Sequence, residues 1–163
     1  MSAGSGNAVP AVSRDLAQLA PKFRAGAEAA IKACNDAGLD AWIFEAFRSN
    51  ELQALYYKRG RTIIPPKHTV TNAKTNLFSW HGYGLAVDVV SKSKLWSPAG
   101  GEAWFAKVAA IFKQHDCSWG GDWTRPDTPH FQWHRCKPSP SDMARLIMKE
   151  EGKEGVWRAV GAI

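Results

Sequence analysis

The chain holds no apolar stretch long enough to cross a bilayer, and its opening residues, MSAGSGNAVPAVSRD, lack a basic patch followed by an apolar core. No secretory leader is expected. The protein is expected to be made in the cytoplasm and to reach any external substrate by another route. Cysteine is scarce: Cys34, Cys117 and Cys136 are odd in number, widely spaced and without a CxxC pair. That excludes a disulfide framework and points to a reducing compartment. There is no internal repeat, no low-complexity tract, no HExxH motif and no run of five or six like charges. A basic nucleic-acid-binding tail is thereby excluded.

Acidic residues are in the minority, 15 against 21 Lys and Arg, which gives a net charge of +6. The excess is densest between Arg48 and Lys74, where Arg48, Lys58, Arg59, Arg61, Lys67 and Lys74 face only Glu51. Nucleic acid, an anionic membrane or an acidic polymer such as cell wall would each suit that balance, and charge alone selects none of them. A length of 163 residues allows one domain with one core. Eight tryptophans are many for that length, enough for a core and an aromatic-lined cleft.

Residues 1–12 read as a flexible arm, and 13–163 as a single domain of α+β class, with helices on a small, mostly antiparallel sheet. Ser13 is placed to cap a helix whose apolar stripe runs through Leu16, Phe23, Ala27, Ile31 and Cys34 and stops at Gly38. AWIFEAFR (41–48) alternates as a strand. Ser49 or Asn50 caps a helix ending at Gly60, and a long connection over 61–80 follows, of a length that is more often functional than idle. LAVDVVS (85–91) reads as a strand and 103–115 as a helix. CSWGGDW reads as a turn leading to a strand at 130–135. Residues 139–163 form a helical segment that either docks on the core or touches an outer membrane.

Two stretches concentrate metal-ligand residue types, Ser79 to Asp88 and Trp119 to His130. Asp88 is an ionisable group inside the apolar run LAVDVV, costly to bury unless it is paired or bound to a cation. A straight strand would put His81 and Asp88 more than roughly 20 Å apart, so they share a metal only if the chain bends, as Gly82 and Gly84 permit. Two His and one Asp meet the three-ligand habit of catalytic zinc. Asp127 precedes His130 by three residues after a Gly/Pro-rich turn. Asp122 and His134 are ligand types close by, expected outside a site already complete. Cys117 and Cys136 flank the same region and are expected in the core.

Ser79-Trp-His81-Gly-Tyr-Gly84-Leu-Ala86-Val-Asp88 fills an SxHxxGxAxD pattern, and Pro129-His130-Phe-Gln completes a second block. These resemble the VanX/VanY-like zinc D-Ala–D-Ala peptidases, a family that includes phage endolysins cutting the L-alanyl–D-glutamate bond. Arg48 to Thr62 and Val70 to Ala73 are similar to its upstream blocks. The resemblance implies a Zn²⁺ site of His81, Asp88 and His130, with Asp127 as general base and Arg48 stabilising the oxyanion. Ser79, Gln53 and Trp123 would contact substrate, the peptidoglycan stem peptide. Asp rather than Glu at 127 looks like the endolysin branch. The protein is then expected to be a monomeric phage lysin, stored in the host cytoplasm and acting in the periplasm or wall. Its basic surface would meet the outer membrane, and nucleic acid would not be a partner. A D-Ala–D-Ala carboxypeptidase or dipeptidase and an inactive zinc-binding wall module are the alternatives.

Overall fold

A computed structural model of the chain describes residues 9–163. The expected arm over residues 1–12 lies largely outside them. Its last residues run beside the sheet, and Ser13 is tied down by accepting a hydrogen bond from Ala46 N–H at 2.7 Å.

Ser13 does not cap the first helix. Asp15 does so for a short 3-10 turn, Leu16–Gln18, by accepting from Ala17 N–H. Helix α1 begins at Pro21 and runs to Asp36. A proline ring clashes with the carbonyl of the preceding turn, so the apolar periodicity cannot extend as helix through position 21, whereas a first helical position tolerates proline. Phe23, Ala27, Ala30 and Cys34 form the buried stripe. Strand β1 covers Ala41–Glu45, and Ser49 caps α2 (Asn50–Lys58), its Oγ accepting from Leu52 N–H at 3.1 Å. Next come β2 (Ala86–Ser91), α3 (Glu102–Lys113), β3 (Cys117–Trp119), β4 (His130–Trp133) and α4 (Asp142–Ala159).

The four strands form one antiparallel sheet in the order β1-β2-β4-β3. Two expectations are corrected here. The 41–48 strand stops at Glu45, because a bulge after Ile43 sets Phe44 and Glu45 against the single residue Asp88. Residues 117–119, read as part of a turn, are an edge strand on β4; three residues are too few for alternation to register in a sequence.

Side chains alternate across β2 and β4. Val87, Val89 and Phe131 enter the core under α1 and α3, with the Phe131 ring 4.4 Å from that of Phe112. Asp88 and His130, paired in register, therefore share the opposite face. Cys34, Cys117 and Cys136 are buried, and desolvation pushes the thiols of Cys117 and Cys136 up to about 12.

Docking on the core is what residues 139–163 do. Gly152 interrupts α4, with φ 76° and ψ −172°, and the segment beyond it turns Val156 and Trp157 inward. Trp157 Nε1–H donates to Tyr83 O at 2.7 Å, Trp133 Nε1–H to Val160 O at 2.6 Å, and Lys22 N–H to Ala162 O at 2.9 Å. Trp157→Ala is expected to cost about 3–5 kcal/mol of stability, the range for deleting a buried aromatic. Urea denaturation measures it, and a loss below about 1 kcal/mol would mean that the segment is not a structural clamp.

Candidate metal centre and cleft

Ser79 starts the turn that carries the first histidine. Its Oγ accepts from His81 N–H at 3.3 Å, and a 3-10 turn covers Trp80–Tyr83. Gly84 ends that turn with φ 69°, a left-handed conformation that L side chains resist. A Cβ on Gly82 would meet Asn76 O at 2.1 Å, so the turn can lie against the preceding loop only with glycine there. The chain thus folds back, and residues seven apart meet: His81 Nε2 lies 3.1 Å from Asp88 Oδ1. His130 Nδ1 lies 3.7 Å from the same oxygen.

The other ring nitrogens are committed. His81 Nδ1 lies 2.9 Å from Ala46 O, which can only accept, so Nδ1 carries the proton. His130 Nε2 lies 2.7 Å from Gln132 Oε1. The Gln132 amide cannot be turned round, because its Nε2 donates to Cys136 O and Lys137 O. In their neutral forms both imidazoles therefore aim a lone pair at a carboxylate oxygen. Three acceptors that converge in this way require a cation among them. Among the described residues this is the cluster of metal-ligand type, its donor atoms all within 4.8 Å of one another. Tetrahedral zinc at its usual bond lengths separates donors by about 3.3 Å, close to the two distances found. The residues fit a metal ion.

Burial opposes ionisation of Asp88, but His81, His130 and Arg48 outweigh it and hold the carboxyl well below its ordinary range. Asp127 Oδ2 lies 3.9 Å from His130 Nδ1, on a side chain 52% exposed to the cleft. Partial desolvation and the charge of Asp88 push its carboxyl upward, against the pull of His130, His81 and Arg48.

Arg48 is nearly buried. Its Nε–H and one Nη2–H donate to the two oxygens of Glu45, at 3.2 and 2.7 Å, and Nη2 also reaches Asp88 Oδ2 at 3.5 Å. Nη1 donates to Gln53 Oε1 at 2.9 Å, which leaves one Nη1 hydrogen without an acceptor among the described residues. Sequence reasoning missed Glu45. Strict alternation sends it into the core beside Ile43, and only the bulge at Phe44 turns it to the face of Asp88.

Gln53 stands behind the cleft wall rather than on it. It is fully buried, and its Nε2 donates to Ala73 O at 2.7 Å, so it braces Arg48 and the 71–73 loop instead of facing a ligand. That loop, with Arg48, Ser79, Trp123 and Asp127, lines a cleft of about 700 Å³ around the triad. The Trp123 ring packs 4.9 Å from that of His130. Asp122 lies outside the site, paired with Lys113 at 2.7 Å on the surface, and His134 is exposed.

Residues 72–133 match the family model described as D-alanyl-D-alanine carboxypeptidase. The chain is 33% identical over 124 residues to the peptidoglycan L-alanyl-D-glutamate endopeptidase CwlK of Bacillus subtilis, covering 70% of this chain and 72% of that protein. Two solved structures share the fold. The L-Ala D-Glu endopeptidase ChiX of Serratia marcescens is 23% identical, with a TM-score of 0.50 over 73% of this chain and 83% of that one. The vancomycin-resistance D,D-pentapeptidase VanY, in complex with Zn(II), is 13% identical, with a TM-score of 0.51 over 83% and 81%. The stretch matched by the family model contains the whole donor triad and Asp127, and the chain belongs to this D-alanyl-D-alanine carboxypeptidase family of peptidases.

Proposed function

We propose that the chain is a zinc-dependent peptidoglycan endopeptidase that hydrolyses the L-alanyl–D-glutamate bond of the stem peptide. The observation that carries this reading is the convergent triad of His81, Asp88 and His130 beside Asp127, on a chain one-third identical to CwlK. Two imidazole nitrogens and one carboxylate oxygen suit zinc and leave a coordination position open. Bound there, zinc would supply Lewis acidity toward the scissile carbonyl and toward water.

The chain's own residues do the rest. Asp127 Oδ2 takes the proton of the attacking water and passes it to the leaving nitrogen. The free Nη1 hydrogen of Arg48 stabilises the negative charge that develops on the carbonyl oxygen, from a guanidinium that Glu45 and Gln53 hold in place. Trp123 and Ser79 line the approach and contact the peptide. A phage lysin, made in a host cytoplasm and acting on the wall, is the setting that suits the net charge of +6 and the Asp at position 127.

Purified peptidoglycan, digested with and without a chelator, tests the reaction by mass spectrometry of the products. New N-terminal D-glutamate is expected, lost on chelation and restored by zinc. Release of terminal D-alanine alone would assign the carboxypeptidase activity of the family description instead. Asp127→Asn is expected to keep stoichiometric zinc while kcat falls by roughly 10²–10⁴, the worth of a general base; undiminished kcat would remove Asp127 from the mechanism. Glu45→Gln is expected to lower stability by about 1–3 kcal/mol, the cost of weakening a buried charged contact. It should also lower kcat, since Arg48 loses its two-point anchor, and wild-type kcat in this variant would contradict the positioning of Arg48 by Glu45.

A further inference from the structure

One cation on the cleft wall is used neither by the triad nor by the Glu45–Arg48 pair. Arg59 caps the C-terminal end of α2, its N–H donating to Leu55 O at 3.2 Å, and its side chain lines the cleft. Its backbone is well anchored: Gly60 N–H donates to Ile63 O at 2.9 Å, and Arg61 Nη1 donates to both Tyr57 O and Thr71 O. Among the described residues the Arg59 guanidinium pairs with no carboxylate. It lies 5.3 Å from the centroid of the Tyr56 ring, and Arg48 lies 4.8 Å from the same ring. A single aromatic ring thus links Arg59 to the arginine that reaches Asp88. Tyr56 lines the cleft as well, and among the described residues its hydroxyl makes no hydrogen bond to the protein.

The carboxylates that line this cleft are Glu45, Asp88 and Asp127. Glu45 is bound to Arg48, Asp88 is one of the three metal donors, and Asp127 sits beside His130. Arg48 is thereby held by Glu45, with one Nη1 hydrogen left for the scissile carbonyl, while Arg59 presents an unpaired positive charge and a planar fork of N–H donors to whatever fills the cleft. Chemistry supplies the matching group. A D-glutamyl residue whose nitrogen is acylated by alanine, and which is joined to the rest of the stem through one carboxyl, keeps its other carboxyl free. When the link runs through the side chain, that free group is the α-carboxylate, on the carbon next to the leaving nitrogen.

We propose that Arg59, with Tyr56 beside it, binds this free carboxylate and so selects substrates with an anionic D-amino acid on the leaving side of the scissile bond. The inference rests on the L-alanyl–D-glutamate reading above. A guanidinium holds a carboxylate through two parallel N–H bonds and cannot repeat that pairing with a carboxamide, which offers one oxygen and no charge. Stem peptides whose D-glutamate is amidated are therefore poor substrates.

Two synthetic stem peptides, identical except for carboxylate or carboxamide at that position, test the assignment in the zinc-loaded enzyme. The wild type is expected to favour the carboxylate in kcat/KM by roughly tenfold to a hundredfold, the range for one charge-assisted contact. Arg59→Gln should bring the two substrates together, chiefly through a higher KM for the carboxylate. Arg59→Lys should keep part of the preference, and Tyr56→Phe should lower it by less than Arg59→Gln does. A wild-type ratio near one, or a wild-type ratio retained by Arg59→Gln, overturns the proposal while leaving the L-alanyl–D-glutamate reading intact. Cleavage of neither peptide by the wild type overturns both together.

Discussion

A carboxylate on an inner strand of a four-stranded sheet must be compensated from several sides, and the arrangement around Asp88 follows from that constraint. β2 and β4 carry Asp88 and His130 in register, so two donors reach one face through strand pairing alone. The third cannot come from the sheet. It comes from the 3-10 turn of Trp80–Tyr83, which Gly82 and Gly84 allow to fold tightly back toward β2. Arg48 closes the ring from β1's side, and its charge is in turn balanced by Glu45. Each ionised group near the cleft floor therefore has a partner of opposite sign or a place among the metal donors, as burial at low dielectric demands.

The hydrogen bonds outside that ring matter as much as the donors. Ala46 O and the Gln132 amide select which nitrogen of each histidine is bare, and they do so through groups with no ambiguity of their own. Ala46 is held where β1 ends, and its own N–H is bound by Ser13 O. The end of β1, the approach to the first 3-10 turn and the metal donors thus form one mechanical unit. Trp157 extends that unit to the C-terminal helix by donating to Tyr83 O.

The donor triad was legible chiefly through the resemblance of the Ser79–Asp88 and Pro129–Gln132 blocks to a zinc peptidase family; on the residues alone, Asp88 interrupting an apolar run and two glycines where a bend is needed only allowed a shared metal. The α+β class and the antiparallel sheet were legible from periodicity. Three features were not. Glu45 occupies a position that alternation assigns to the core, and a one-residue bulge has no clear signature in a single sequence. Gln53 belongs to the block that resembles substrate-binding residues of the family, yet its amide is spent on Arg48 and Ala73, a fact that only the packing of α2 reveals. The start of α1 was misread because the apolar stripe begins before Pro21, and the backbone constraint at proline overrides the stripe.

The cleft wall and the cleft floor are built differently. The floor is strand and tight turn, in which one shifted residue would move a donor to the wrong face. The wall over residues 70–73 belongs to a long connection, fastened to α2 by the side chains of Gln53 and Arg61. Lengthening or rewriting that connection would leave strand register and donor geometry as they are. The architecture separates a part that cannot drift from a part that can, so relatives can diverge in what they grip while keeping the same centre.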